Sequence, residues 1–106
     1  MDATTTLQPQ ECQGMDDIRR EIDRLDQSVI QLLGQRFQYV LAASKFKTSA
    51  TSVRAPERFK AMLATRREWA QAEGLSPDAI EKMYSDLVTH FIEQELQHWQ
   101  AAQPAV

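Results

Sequence analysis

Apolar positions recur along this chain at helical spacing. Ile18, Ile22, Leu25, Val29 and Leu32 follow one another at intervals of four and three, and the pattern continues through Val40 to Phe46, as on one face of an α-helix. Asp16 or Asp17 offers a cap, and acids in the first turn suit the helix dipole. Residues 48–55, small and polar, read as a loop. Pro56 then opens a second helix running to about Glu73, with Gly74 as its stop. Ser76 and Pro77 supply the cap and first position of a third helix, which continues to about Ala101. Residues 1–14 read as a flexible leader, 15–101 as one helical domain and 102–106 as a tail.

Composition agrees with an all-α chain. Three glycines and four prolines serve 106 residues, and between Met15 and Val53 there is a single glycine and no proline; a turn-rich sandwich or barrel needs more punctuation. The length suits one domain with one modest core. Fifteen acids against twelve bases leave a net charge of −3, which gives no general electrostatic reason to bind nucleic acid or an anionic membrane. One cysteine, Cys12, permits neither an intrachain disulfide nor a cysteine metal cluster. The leader lacks the basic start and apolar run of a signal peptide, and no stretch approaches the ~20 apolar residues of a membrane span. A cytoplasmic location is the expectation.

The first helix is the informative one. About thirty residues at 1.5 Å each give about 45 Å, whereas a compact chain of this size is roughly 34 Å across. An apolar stripe that outruns its own monomer needs a cover, and a second copy of the chain supplies it. The expected architecture is therefore a three-helix chain, with one long N-terminal helix, in an intertwined homodimer. A helix bent or broken near Gly34 is the alternative.

Charges interrupt the apolar stripes. With Ile18 at the origin, Ile22, Leu25, Val29 and Leu32 fall within about 40°, Arg36 returns to about 0° and Lys47 to about 20°. Two cations thus project onto the face that should be buried, roughly 16 Å apart along the axis, leaving between their long side chains a gap of small-molecule size. Buried charges require partners. Each cation either pairs with a carboxylate or snorkels to solvent. Lys45 and Arg24 lie off the face and read as solvated. Arg19 projects about 100° from Arg36 and roughly 26 Å up the axis, so the two cannot share a site within one helix; in an antiparallel or interlocked dimer Arg19 could reach the other chain's site. On the third helix Glu95 falls within about 20° of Tyr84, amid Leu87, Val88, Phe91 and Ile92, with Gln94 at the edge. Such a carboxylate either pairs with a buried cation or carries a proton. His90 and His98 stand without partners at metal-ligand spacing, Trp69 and Trp99 read as core or interface, and no Gly-rich phosphate loop, Ser/His/Asp set or CxxC occurs. No metal is expected.

These residues carry a resemblance. DIRREIDRLDQSVIQLLGQRFQYVLAASKFK (17–47), APERF (55–59) and HFIEQELQHW (90–99) resemble the all-helical chorismate mutase (type II) family, and within it the isochorismate pyruvate lyase branch of salicylate and siderophore biosynthesis. The resemblance covers nearly everything after the leader. It implies an intertwined dimer of three-helix chains, a pericyclic elimination of pyruvate from isochorismate with weak chorismate mutase activity beside it, and no cofactor. It further implies that Arg19 comes from the partner subunit to grip one carboxylate and that Arg36 binds the pyruvyl carboxylate. Lys47 reaches a carboxylate and the bridging ether oxygen, Arg58 helps close the site, and Glu95 approaches the ether oxygen from the other side. Such chemistry needs a dicarboxylate folded into its reactive conformer and donors where charge grows on the breaking C–O bond. It needs no nucleophile.

Two departures from the family pattern pull in opposite directions. Mutases place acids where this chain has Ala55 and Phe59, which favours the lyase. Lyases place glutamine where this chain has Glu95, and some mutases use glutamate there. The alternatives are a chorismate mutase making prephenate and, in another class, a non-catalytic helical dimer that binds an aromatic dicarboxylate or a protein partner.

Overall fold

The computed structural model describes residues 6–104. Its helices are α1 (Met15–Ala43), α2 (Ala50–Arg54), α3 (Pro56–Ala72) and α4 (Pro77–Ala101), with 3₁₀ turns at Pro9–Glu11 and Ser44–Phe46, and no strand occurs among the described residues. The chain divides inside α1, after Arg36, into an N-terminal and a C-terminal unit.

In the N-terminal unit the residues read as a flexible leader fall into two parts: 1–5 lie outside the described residues, and those from 6 onward carry the Pro9–Glu11 turn. Gln8 N donates to Glu11 Oε1 at 2.7 Å, and Gln13 N donates to Asp17 Oδ2 at 3.0 Å, tying the turn to the start of α1. Asp16 and Asp17 sit in the first turn rather than at the cap, where their charge still meets the positive end of the helix dipole. A cavity of about 390 Å³ lies between the turn and α1, with Leu7, Pro9, Cys12, Ile18 and Ile22 in its wall. Desolvation first, and then Asp17 and Glu21, push the Cys12 thiol above its ordinary value. Arg24, expected to be solvated, donates to Glu21 Oε1 at 3.0 Å while keeping much of its side chain in water.

α1 runs through Gly34 without interruption, so the helix is not broken there. Its apolar stripe lies open in the single chain: Ile22, Leu25, Val29 and Leu32 are each between 50% and 61% exposed. The helix stops at Ala43, earlier than the apolar pattern alone indicates. Ser44 Oγ donates to the Leu41 carbonyl at 2.6 Å, the local competition by which serine diverts a helix into a tighter turn. Projecting Lys47 onto the α1 face at about 20° therefore fails, because the backbone has already left α-helical geometry by that point.

In the C-terminal unit the end of α1 meets α4 through Phe37 and Phe91, whose ring centroids are 5.0 Å apart. Val53, Met62, Ala70 and Val88 form the buried apolar core among the described residues. The segment read as a loop contains α2. Ser49 Oγ accepts from Ser52 N at 3.1 Å and Ser52 Oγ accepts from Ser49 N at 3.0 Å, a reciprocal cap that holds one short helix. Ala55 ends it at φ 41°, ψ 61°, left-handed backbone that alanine adopts at a cost.

α3 ends as the sequence indicates. Gly74 has φ 76°, and Leu75 N donates to Ala70 O at 2.8 Å while Gly74 N donates to Gln71 O at 3.1 Å, a Schellman cap. A Cβ at Gly74 would meet nothing within 4 Å, so Gly74→Ala isolates the backbone cost. It should lower stability by about 1 kcal/mol, measured by urea unfolding with an unchanged m-value. Ser76 Oγ accepts from Ala79 N at 3.1 Å to start α4, and Arg67 on α3 joins Asp78 at 2.8 Å and Glu81 at 3.1 Å across the hairpin.

Candidate active site

The C-terminal unit gathers its polar groups around Lys47. Leaving the Ser44–Phe46 turn, Lys47 has extended backbone, φ −91° and ψ 140°, and donates its N–H to Ser44 O at 3.1 Å. Its Nζ lies 3.3 Å from Glu95 Oε2 on α4 and donates to Ser52 O on α2 at 3.1 Å. The Lys47 carbonyl accepts from Trp99 Nε1 at 2.9 Å. Glu95 and Trp99 stand four residues apart and so share one face of α4.

Burial gives this cluster its energetics. Glu95 is 4% exposed and the Lys47 side chain 24%. A carboxylate so enclosed depends on its cation, and the cation can still reach a ligand from the open side. The arrangement can present one ammonium to an anion or an ether oxygen, with a buried acid behind it. The same unit holds a cleft of about 250 Å³ formed by α2, α3 and α4, its apolar part made by Pro56, Phe59 and Ile92, with Arg54 and Glu93 also in its wall.

The remaining candidates are distributed differently. Arg36, in the N-terminal unit, is half-buried, with Nη1 withdrawn from solvent. Arg19, also in that unit, is exposed, as is Arg58 in the first turn of α3. Neither Ser52 nor Trp99 was singled out by the sequence as part of a site. The one signal for Trp99 is its place one helical turn beyond Glu95; for Ser52 it is the Ser49–Ser52 spacing of a cap, and the atom involved is a main-chain carbonyl that no side-chain pattern reveals. Among the described residues no group of three or more His, Cys, Asp or Glu is placed to hold a metal ion, and no helix is long and apolar enough to cross a membrane.

Residues 18–96 match the profile described as chorismate mutase type II. The chain belongs to that family. The chorismate mutase type II match takes in Arg19, Arg36, Lys47, Arg58 and Glu95, and ends before Trp99. The isochorismate pyruvate lyase of Pseudomonas aeruginosa is 39% identical over 97 residues, spanning 92% of this chain and 96% of that one. A protein named T-protein from Haemophilus influenzae is 41% identical over 70 residues, which make up 65% of this chain but 19% of its own length. The T-protein of Enterobacter agglomerans is 37% identical over 65 residues, 60% of this chain and 17% of its own. Likeness to the lyase thus extends over both chains nearly end to end, whereas the T-proteins share only a segment.

Proposed function

We propose that the protein is an isochorismate pyruvate lyase acting as a homodimer. The observation that carries the reading is the Lys47 ammonium held 3.3 Å from buried Glu95, in a chain similar to a lyase over 96% of that enzyme's length. In the reaction the ether C–O bond breaks, a ring hydrogen passes to the methylene of the enolpyruvyl group, and pyruvate leaves an aromatised salicylate. The bond electrons move within the substrate, so the protein's tasks are conformational and electrostatic. Arg36 and the partner subunit's Arg19 hold the two carboxylates, Arg58 closes over them, and Lys47 meets the negative charge that grows on the ether oxygen. Exposure of Ile22, Leu25, Val29 and Leu32 supports the dimer, because a stripe of that length stays in water only at a cost of about 25 cal/mol per Å². The cytoplasm is its proposed location.

Phe59 supports the lyase over the mutase. It is apolar where the mutase pattern has an acid for chorismate's ring hydroxyl. Glu95 favours the second reading, a chorismate mutase, since glutamate at that place suits some mutases. Incubation with isochorismate and chorismate separately, without metal or cofactor, distinguishes them: salicylate and pyruvate from the first substrate carry the lyase reading. Prephenate from the second, with no turnover of isochorismate across pH 5 to 8, overturns it in favour of the mutase.

Glu95→Gln gives a further expectation. The amide keeps the shape and removes the charge 3.3 Å from the ammonium, which no longer has to leave a carboxylate to reach substrate. An exposed ion pair is worth up to about 1 kcal/mol and a more enclosed one more, so kcat/KM for pyruvate release at pH 7 should rise roughly tenfold. Lower stability with no turnover in either form would instead identify a structural ion pair in a non-catalytic dimer.

A further inference from the structure

Binding substrate forces an exchange at Lys47. Its ammonium is engaged by Glu95 Oε2 at 3.3 Å and Ser52 O at 3.1 Å, and an ammonium serving an ether oxygen must give up part of that engagement. The side-chain ties that hold the residue are therefore those the reaction loosens. Flanking it on the C-terminal side are Thr48, Ser49 and Ala50, all exposed, so that segment is held by short-range hydrogen bonds to Ser52 rather than by packing. The bond from the Trp99 indole to the Lys47 carbonyl, 2.9 Å, involves no atom that substrate would claim.

We propose that Trp99 is a positioning residue for Lys47: its indole N–H anchors the Lys47 carbonyl to α4 while the ammonium passes from Glu95 to the substrate. The inference rests on the lyase reading for its kinetic consequence and on the indole–carbonyl bond for its structural one. Two features give the anchor its value. The indole comes from α4, a helix of 25 residues with a buried Glu95 one turn earlier, so the donor is fixed by regular structure. The acceptor is main chain, so holding it restrains the root of a flexible four-carbon side chain without restricting the ammonium itself. The arrangement preorganises a donor that is needed most in the transition state, and its loss should therefore appear in kcat more than in KM.

The test replaces Trp99 in the full chain with phenylalanine and, separately, with 3-benzothienylalanine, which keeps the bicyclic shape and puts sulfur in place of the N–H. Steady-state kinetics with isochorismate, melting temperature and amide exchange over 47–53 are measured for each. Both replacements should lower kcat about tenfold with KM within about twofold. The benzothienyl form should melt within about 2 °C of the native chain and exchange faster over 47–53. A benzothienyl variant with native kcat and native exchange overturns the proposal, as does a kcat loss matched by an equal loss of folded protein. A native chain inert toward isochorismate would instead remove the lyase reading, and exchange would still decide whether the indole restrains Lys47.

Discussion

Lys47→Met should reduce kcat/KM for pyruvate release from isochorismate by about a thousandfold, with substrate binding weakened less than turnover. Methionine has nearly the length and volume of lysine and removes the ammonium. A fixed donor aimed at developing charge in a site shielded from water is worth about 10²–10³ in rate, and the proposed contact of Lys47 with a substrate carboxylate adds to it. The same substitution also acts on folding. Glu95, 4% exposed, would be left as a buried acid without its cation, and breaking such a pair by removing one partner costs about 3 kcal/mol or more. The two effects separate in a double variant: Lys47→Met with Glu95→Gln should recover most of the stability and none of the activity. Urea unfolding beside product chromatography checks both. Activity returning in the double variant would show that Lys47 serves the fold alone.

The second large effect lies on α1. Leu25→Glu combined with Val29→Glu places two carboxylates, about one helical turn apart, on a stripe that is 53% and 50% exposed at those positions in the single chain. A lone chain tolerates them because they remain solvated. An interface does not, since two like charges would have to be desolvated against apolar neighbours from the second copy. Sedimentation equilibrium should therefore find the native protein at about twice 12.1 kDa and the double variant at the single-chain mass. Activity should fall by more than about a hundredfold, because in the proposed dimer each site would lose the partner subunit's Arg19. A native protein that sediments as a single chain, or a double variant that still pairs, would remove the proposed dimer.

How much the sequence reveals depends on the kind of signal. Caps written in glycine, proline and serine are legible: Gly74, Ser76 and Pro77 mark the α3–α4 turn within a residue or two. Glu95 is legible as well, since an acid amid Val88, Phe91 and Ile92 stands out against the period. The end of α1 is not, because Ser44 halts the helix through a hydroxyl-to-carbonyl bond that leaves the apolar pattern running on to Phe46. Helical projection accordingly puts Lys47 on an α1 face it does not occupy, although it does meet a carboxylate. α2 stays hidden for a similar reason, because its reciprocal serine cap is small and polar like any loop. Trp99 is hidden differently. Aromatic periodicity reports burial, and nothing in it reveals that the indole N–H reaches a main-chain carbonyl 52 residues away in sequence.

The enclosure of residue 95 bears on how this chain is free to diverge. Glutamate and glutamine codons differ by one base, and the two side chains are almost isosteric. A single nucleotide change can thus exchange an acid for an amide at this enclosed position while its contour stays the same. Selection can retune the chemistry at that spot in one step, with no compensating alteration demanded of the scaffold around it.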